Sequence, residues 1–171
     1  MPRVVVGVIG PGAAASLDDC ILARELGALV AREGWVLLTG GRSEGVMHAA
    51  SGGARDAGGL TVGVLPGDNL GDASDAVEVA LVTGMGSARN NINVLSSRVV
   101  FACGMSAGTA SEVALAIKGE RPVVLVRPDP VSRSFFKSLG GALVQDADTP
   151  AEAVTLARRV LGHEPAWERP A

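Results

Sequence analysis

The sequence predicts an α/β protein of the Rossmann-like, doubly wound type, with one parallel sheet and helices on both of its faces. Short, fully apolar runs rich in β-branched residues alternate with longer segments of helical periodicity. Strands that are apolar throughout are typical of parallel sheets, which are buried on both faces. The 171 residues fit one domain. We expect residues 1–162 to form this domain and residues 163–171 to be a loose C-terminal tail.

The first half of the chain contains three predicted strands and two helices. Each strand ends at glycine or proline, which punctuate regular structure. Ser16 and Asp19 have the capping-box spacing that begins a helix. In chain order we predict a strand at Val4–Ile9, a helix from Ser16 to Gly34, a strand at Trp35–Thr39, a helix at Gly45–Ala57 and a strand at Leu60–Leu65.

The second half continues the alternation. Thr149 and Glu152 form a second capping-box pattern, with Pro150 at the first helical position of a C-terminal helix. The other predicted elements are strands at Val77–Val82, Arg98–Cys103, Pro122–Val126 and Ala142–Gln145, and helices at Ser87–Ser97 and Thr109–Lys118.

Composition excludes several classes of function. The net charge is −3, no block of Lys or Arg occurs and aromatic residues make up 3%, so we expect neither a nucleic-acid nor a membrane partner. The two cysteines, Cys20 and Cys103, have no metal-ligand spacing, and we expect no metal and no cofactor. Cys103 fits a small buried apolar residue better than a nucleophile. A reduced, cytoplasmic compartment is the simplest prediction.

Ligands of parallel α/β sheets bind outside the carboxyl ends of the strands, where this chain carries glycine-rich loops. Gly10-Pro11-Gly12 follows the first strand and precedes a helix, so its backbone can approach a phosphate; a tight β–α turn is the alternative. The second strand ends without the carboxylate that a standard dinucleotide site requires, which excludes such a site. Gly40 and Gly41 can form an anion nest there, and Gly45 keeps the next helix open.

A third candidate loop follows the strand at Arg98–Cys103. Phosphate oxygens can bind the N–H groups of Gly108 and Thr109 and the Thr109 hydroxyl, with Ser106 and Ala107 in the same loop. The alternative is structural, because Thr109 and Glu112 have capping-box spacing and Glu112 would then satisfy a backbone donor.

A fourth segment contains Met85 and Arg89. Arg89 lies in the first turn of a predicted helix, which is the unfavourable end of the helix dipole for a cation. It therefore needs an anionic partner, either a ligand in the cleft, with Met85 beside it, or a surface carboxylate.

Together these segments resemble the LOG family, the cytokinin-activating nucleoside 5′-monophosphate phosphoribohydrolases. The resemblance extends from Val4 to Val126. It rests on the ordered set Gly10-Pro11-Gly12, Gly40-Gly41, Gly45-Val46-Met47, Gly58-Gly59, Gly63-Val64-Leu65-Pro66, Arg89 and Gly108-Thr109-x-x-Glu112. It implies cleavage of an N-glycosidic bond to release a free base and ribose 5-phosphate, with Arg89 and Glu112 as catalytic pair, no cofactor, and a homodimer.

Two departures from the family pattern leave a second function open. Phosphoribohydrolases of the family have Pro-Gly-Gly where this chain has Gly104, Met105 and Ser106, and they usually have Lys where it has Asn90. The Arg89-Asn90 pair places the chain nearest a short bacterial branch that also resembles molybdenum-cofactor carrier proteins. The alternative is therefore a non-catalytic protein that binds a nucleotide or a cofactor of that type through the same loops.

Overall fold

The computed structural model describes residues 3–162, which form seven strands and six α-helices. In chain order these are β1 (Val5–Ile9), α1 (Leu17–Arg32), β2 (Val36–Thr39), α2 (Gly45–Asp56), β3 (Thr61–Leu65), β4 (Val79–Val82), α3 (Asn90–Ser96), β5 (Val99–Cys103), α4 (Ala107–Lys118), β6 (Val123–Val126), α5 (Pro130–Gly140), β7 (Val144–Ala147) and α6 (Pro150–Leu161). Short 3-10 turns at Gly86–Arg89 and Gly141–Leu143 precede α3 and β7.

All seven strands are parallel and follow the order β4-β3-β2-β1-β5-β6-β7. Strands β2, β3 and β4 lie in succession on one side of β1. Strand β5 lies on the other side of β1, followed by β6 and β7. In register, Gly7 of β1 pairs with Val100 and Ile9 pairs with Ala102. The boundary between β1 and β5 is thus the topological switch point, where ligands of such sheets bind.

Two apolar layers cover the sheet, as the predicted doubly wound fold requires. Residues of β5 alternate between them: Val99, Phe101 and Cys103 join the core beneath α1, α2 and α6, whereas Val100 and Ala102 join the core beneath α3, α4 and α5. Alternate side chains of a strand point to opposite faces, so β5 is buried from both sides. The α/β fold predicted from the sequence is confirmed.

The helices α1 and α2 approach each other unusually closely. A Cβ atom at Gly27 of α1 would overlap the carbonyl oxygen of Ala50, and one at Gly53 of α2 would overlap the carbonyl oxygen of Arg24. Only glycine permits backbones to come so near. Because α1 follows the first glycine-rich loop and α2 follows the second, this contact also sets the spacing of the two loops.

Most predicted elements agree with the structure to within two residues. The capping box of α1 is present in full, since Ser16 Oγ accepts from Asp19 N and an Asp19 carboxylate oxygen accepts from Ser16 N, both at 3.0 Å. The box predicted for α6 is half formed. Thr149 Oγ1 accepts from Glu152 N at 3.2 Å, but the Glu152 carboxylate accepts from Asp148 N instead of Thr149 N.

Three predictions need correction. The helix predicted from Ser87 to Ser97 is divided into the 3-10 turn and α3. The last strand lies at Val144–Ala147, two residues later than predicted, because the 3-10 turn at Gly141–Leu143 comes first. Helix α5 was not predicted, although Asp129 caps it through bonds from Val131 N and Ser132 N. The predicted tail at 163–171 lies outside the described residues.

Within residues 3–162, no helix combines the length and the apolar character that crossing a membrane would require.

Candidate functional site

A cleft of about 310 Å³ opens at the switch point, above the carboxyl ends of β1 and β5. Its volume is at the lower end of the range usual for small-molecule sites, roughly 300–1,000 Å³. All four candidate segments of the sequence contribute to its wall. The lining residues are Val8, Ile9, Gly10, Gly12, Gly40, Arg42, Met47, Pro66, Gly86, Ser87, Arg89, Asn90, Ser106, Gly108, Thr109 and Glu112.

The loop after β1 is packed tightly against its neighbours. A Cβ at Gly10 would overlap the carbonyl oxygen of Cys103, and one at Gly12 would lie 2.9 Å from a carboxylate oxygen of Glu44. Pro11 is buried and does not line the cleft; its carbonyl oxygen accepts from Val46 N at 3.0 Å, which ties the loop to the start of α2. Packing against backbone therefore requires glycine at Gly10, whereas the Glu44 side chain can move away from Gly12, and both glycines border the cleft.

The loop after β2 brings one of its predicted residues to the cleft. Gly40 lies against Arg89, since a Cβ there would come within 2.7 Å of an Arg89 Nη2 atom. Gly41 has φ +76°, and its N–H donates to Thr39 Oγ1 at 3.1 Å instead of pointing to a ligand. Gly45 has φ +54° and packs against the carbonyl oxygens of the first loop. Gly41 and Gly45 therefore shape the loop without lining the cleft.

The loop after β5 corrects one sequence interpretation. Helix α4 begins at Ala107 and its N-cap is Ser106, whose Oγ accepts from Thr109 N at 3.2 Å. The alternative in which Thr109 caps the helix and Glu112 satisfies a backbone donor is therefore wrong. The N–H groups of Ala107 and Gly108 lie in the first turn of α4 and have no intrahelical acceptor. Gly108 lines the cleft and Ala107, which is exposed, does not.

The three residues at the family's Pro-Gly-Gly positions have separate structural roles. Gly104 keeps a glycine conformation at φ +73°, with the Asp19 carboxylate where a Cβ would be. Met105 is half-buried and packs on the core beneath α3, α4 and α5, outside the cleft lining. Of the two residues that replace the Gly-Gly pair, only Ser106 therefore faces the ligand site.

Arg89 and Glu112 meet in the cleft, as the resemblance implied. Arg89 Nη1 lies 3.7 Å from Glu112 Oε1, and both side chains are about nine-tenths buried. Arg89 ends the 3-10 turn before α3, and its Nη1 also donates to Asn90 Oδ1 at 2.6 Å. Asn93 Nδ2 donates to Glu112 Oε1 at 3.0 Å. The pair thus belongs to a chain of four side chains: Asn90, Arg89, Glu112 and Asn93.

Burial dominates the electrostatics of this pair. It raises the pKa of Glu112, against the hydrogen bond from Asn93 and the positive charge of Arg89, which lower it. Burial also lowers the pKa of Arg89, with the nearby Arg42 acting in the same direction and Glu112 opposing. Arg42 pairs with Glu44 at 2.8 Å. The Nε atoms of Arg42 and Arg89 are buried and have no hydrogen-bond partner within residues 3–162. Arg42 and Arg89 both line the cleft, so their guanidinium groups bring positive charge to it.

Two other sequence candidates lie elsewhere. Met85 is 49% exposed and lies outside the cleft lining. Cys103 is fully buried, and burial, followed by the charge of Asp19, raises the pKa of its thiol to about 12. A thiol with that pKa is protonated at neutral pH and is no nucleophile. In the described part of the chain, no group of three or more His, Cys, Asp or Glu side chains is placed to hold a metal.

Asn93, Arg42 and Met47 were not predicted as site residues from the sequence. A signal for Asn93 existed, because it lies four residues after Arg89 and so shares its helical face. Arg42 follows Gly40-Gly41 directly and Met47 comes six positions after Gly41, but neither residue type in its place distinguishes a ligand contact from a core contact.

These features define the chain as a single-sheet, LOG-like α/β protein with a ligand cleft at the topological switch point. The chain belongs to the SLOG cluster4 family, whose model matches residues 3–154.

Solved structures of high similarity have been described. One is a molybdenum cofactor binding protein from the phototrophic bacterium Rippkaea orientalis, 51% identical, with a TM-score of 0.92 and coverage of 94% of this chain and 99% of that one. Another is the Moco carrier protein of Chlamydomonas reinhardtii, 49% identical, with a TM-score of 0.89 and coverage of 94% and 99%. An uncharacterised protein of Archaeoglobus fulgidus is 35% identical over 154 residues, which cover 90% of this chain and 94% of the relative.

Proposed function

We propose that the protein binds and carries the molybdenum cofactor or a closely related phosphate-bearing molecule. This is the alternative that the sequence left open. The observation that carries it is the similarity to two proteins described as a binder and a carrier of this cofactor. Their sequence identities to this chain are 51% and 49%, each over 94% of its length.

The residues of the cleft fit such a ligand. The molybdenum cofactor is a pterin derivative that bears a phosphate and holds its metal through its own sulfur atoms. The first turn of α4 offers N–H groups and the helix dipole to the phosphate, and Arg42 and Arg89 add positive charge. Val8, Ile9 and Met47 supply an apolar wall for a ring system. Because the metal brings its own ligands, the cargo needs no metal-binding side chains from the protein.

The test is retention of molybdenum. Protein incubated with cofactor released from a molybdoenzyme is separated from free cofactor by gel filtration, and molybdenum is measured by mass spectrometry. We expect the wild type to retain it and Arg89→Met to lose most of it. Arg24→Met is the matched control, because Arg24 makes only a surface ion pair with Asp56 far from the cleft. Equal retention by all three proteins, or none by the wild type, would contradict the proposal.

A second candidate function rests on the buried pair of Arg89 and Glu112. In a phosphoribohydrolase, Glu112 would stabilise the oxocarbenium-like charge on the sugar and orient the attacking water, and Arg89 would position the carboxylate and the sugar. The test is chromatography after incubation with AMP, GMP, CMP, UMP and isopentenyl-AMP. Release of base that is lost in Glu112→Ala would support hydrolysis; no release from any substrate would remove this candidate.

We also propose that the protein forms a homodimer. Helix α5 presents Val131, Phe135 and Leu139 at intervals of four residues, and all three side chains are more than half exposed. An apolar stripe of this kind is typical of an interface. Light scattering coupled to gel filtration tests it: a mass of two chains is expected, and a monomer at micromolar concentration would refute it.

A further inference from the structure

Asn93 is a buried amide whose position the ligand cleft does not explain. Its side chain is on α3, its exposed fraction is 1%, and it does not line the cleft. Asn93 Nδ2 donates to Glu112 Oε1 at 3.0 Å, and Asn93 Oδ1 is buried with no hydrogen-bond partner within residues 3–162. Burying an amide with one end unsatisfied is unfavourable. Among the described residues, the hydrogen bond to Glu112 is therefore the only polar contact that offsets the burial of this side chain.

The surroundings of Glu112 contain few charges. Arg89, from the 3-10 turn, is 3.7 Å away, and α3 contributes only uncharged side chains. Arg42, from the loop after β2, pairs with Glu44 at 2.8 Å, and its charge acts on Arg89. The first turn of α4 carries no acidic residue. The charge state of Glu112 therefore depends on burial, Arg89 and the Asn93 amide.

We propose that Asn93 is a positioning residue: it holds Glu112 as a carboxylate turned toward Arg89, so that Glu112 balances the Arg89 charge and limits the affinity of the cleft for anions. This inference rests on the proposed binding of a phosphate-bearing ligand in the same cleft.

The expected behaviour follows from charge balance. While Glu112 is ionised, a ligand phosphate must compete with its carboxylate for Arg89. A proton on Glu112 removes that competitor and leaves the guanidinium available, so anion affinity rises as pH falls through the pKa of Glu112. A hydrogen bond donated to a carboxylate lowers its pKa, so loss of the Asn93 donor moves this transition to higher pH.

The experiment is an NMR titration with sulfate, which mimics phosphate and stays doubly charged across the pH range used. The signals followed are the amides of Gly108 and Thr109, at several pH values for wild type and Asn93→Leu. We expect the transition of Asn93→Leu to lie at higher pH, and sulfate to bind this variant about tenfold more tightly than the wild type at pH values between the two transitions. Asn91→Leu is the matched control, because Asn91 is exposed on the same helix.

Two further variants make the result specific. On a Glu112→Gln background, where position 112 cannot titrate, Asn93→Leu should leave a flat pH profile. Asn93→Ala replaces Asn93→Leu if the larger side chain prevents folding, which thermal unfolding will show. A folded Asn93 variant whose transition stays at the wild-type pH would overturn the proposal.

A direct measurement separates this proposal from the proposed function. Carbon-13 NMR of the glutamate side chains, with Glu112→Gln to assign the signal, gives the pKa of Glu112 without any ligand. If sulfate does not bind the wild type at any pH, the binding function is in doubt, yet an upward pKa shift in Asn93→Leu still supports the positioning role. No such shift refutes that role even if sulfate binds.

Discussion

Two strand-to-helix connections meet at the switch point, one between β1 and α1 and the other between β5 and α4. Glycine has a different role in each. In the β1–α1 loop, Gly10 is hemmed in by the Cys103 carbonyl oxygen and by Val46. In the first turn of α4, a Cβ at Gly108 would meet no atom outside the backbone of its own helix closer than Ser106 Oγ, 3.8 Å away. Gly10 is required for close packing within the protein, whereas the space beside Gly108 is not filled by protein atoms. Because Gly108 also lines the cleft, the open space beside it is accessible to a ligand.

The largest expected effect is that of Gly10→Ala. The added methyl group would collide with backbone, which cannot rotate away as a side chain can, so we expect the free energy of unfolding to fall by about 3 kcal/mol. Urea unfolding measures it. Gly67→Ala is the control, since a Cβ there meets nothing within 4 Å. Equal stability of the two variants would break the comparison between the loops.

Ser106→Ala and Ser16→Ala form the next pair. Each removes a hydroxyl that accepts a hydrogen bond at a helix start, from Thr109 N and Asp19 N respectively, so each should reduce stability by about 1 kcal/mol. Only Ser106 lines the cleft, so only its replacement should weaken binding of sulfate or cofactor. A comparable loss of affinity in both variants would show that binding follows helix stability and not contact.

Glu112 should make stability depend on pH. Burial raises its pKa in the folded protein, so between the unfolded and folded pKa values the folded state binds more protons. The contribution of Glu112 is therefore fully present below the unfolded value and declines as pH rises through the folded one. We expect urea unfolding of the wild type, relative to Glu112→Gln, to show a falling difference from acidic to neutral pH; a rising difference would contradict the raised pKa.

The smallest effect on stability is expected for Gly108→Ala. The site is helical and uncrowded, so alanine should be neutral or stabilise the protein by about 0.5 kcal/mol. A methyl group there would nevertheless narrow the approach of a phosphate to the first turn of α4, and sulfate affinity should fall. Unchanged affinity in the NMR titration would mean that the open space beside Gly108 is not used by the anion.

The sequence was sufficient for the architecture because the buried strands are short apolar runs between glycines, and such runs have few other structures available. Helix α5 was missed although the sequence contains its signals. Val131, Phe135 and Leu139 recur at intervals of four residues, which is the apolar period of a helix, and Asp129 and Pro130 mark its start. Only Phe136 of this helix is buried, so its stripe faces outward and not toward the core.

The candidate site was predicted in part. Arg89 was selected because its place in the helix was unfavourable, and with Glu112 it lines the cleft. The Thr109–Glu112 cap was wrong because Ser106 offers a competing cap and α4 begins two residues earlier. The spacing of residues in the sequence does not by itself show which of two candidates, Ser106 or Thr109, caps α4. Gly41 was expected to donate to an anion, but the Thr39 hydroxyl, invisible as a partner in the sequence, takes its N–H.

The close contact between α1 and α2 at Gly27 and Gly53 has a consequence for how substitutions at these glycines are interpreted. Any side chain at Gly27 or Gly53 would push these two helices apart, and each helix follows a loop that lines the cleft, through Gly12 before α1 and through Gly40 before α2. Gly27 and Gly53 do not line the cleft, yet we expect their contact to influence its width through the two loops. A variant at either glycine would present as a binding defect in a protein whose ligand-contacting residues are all intact.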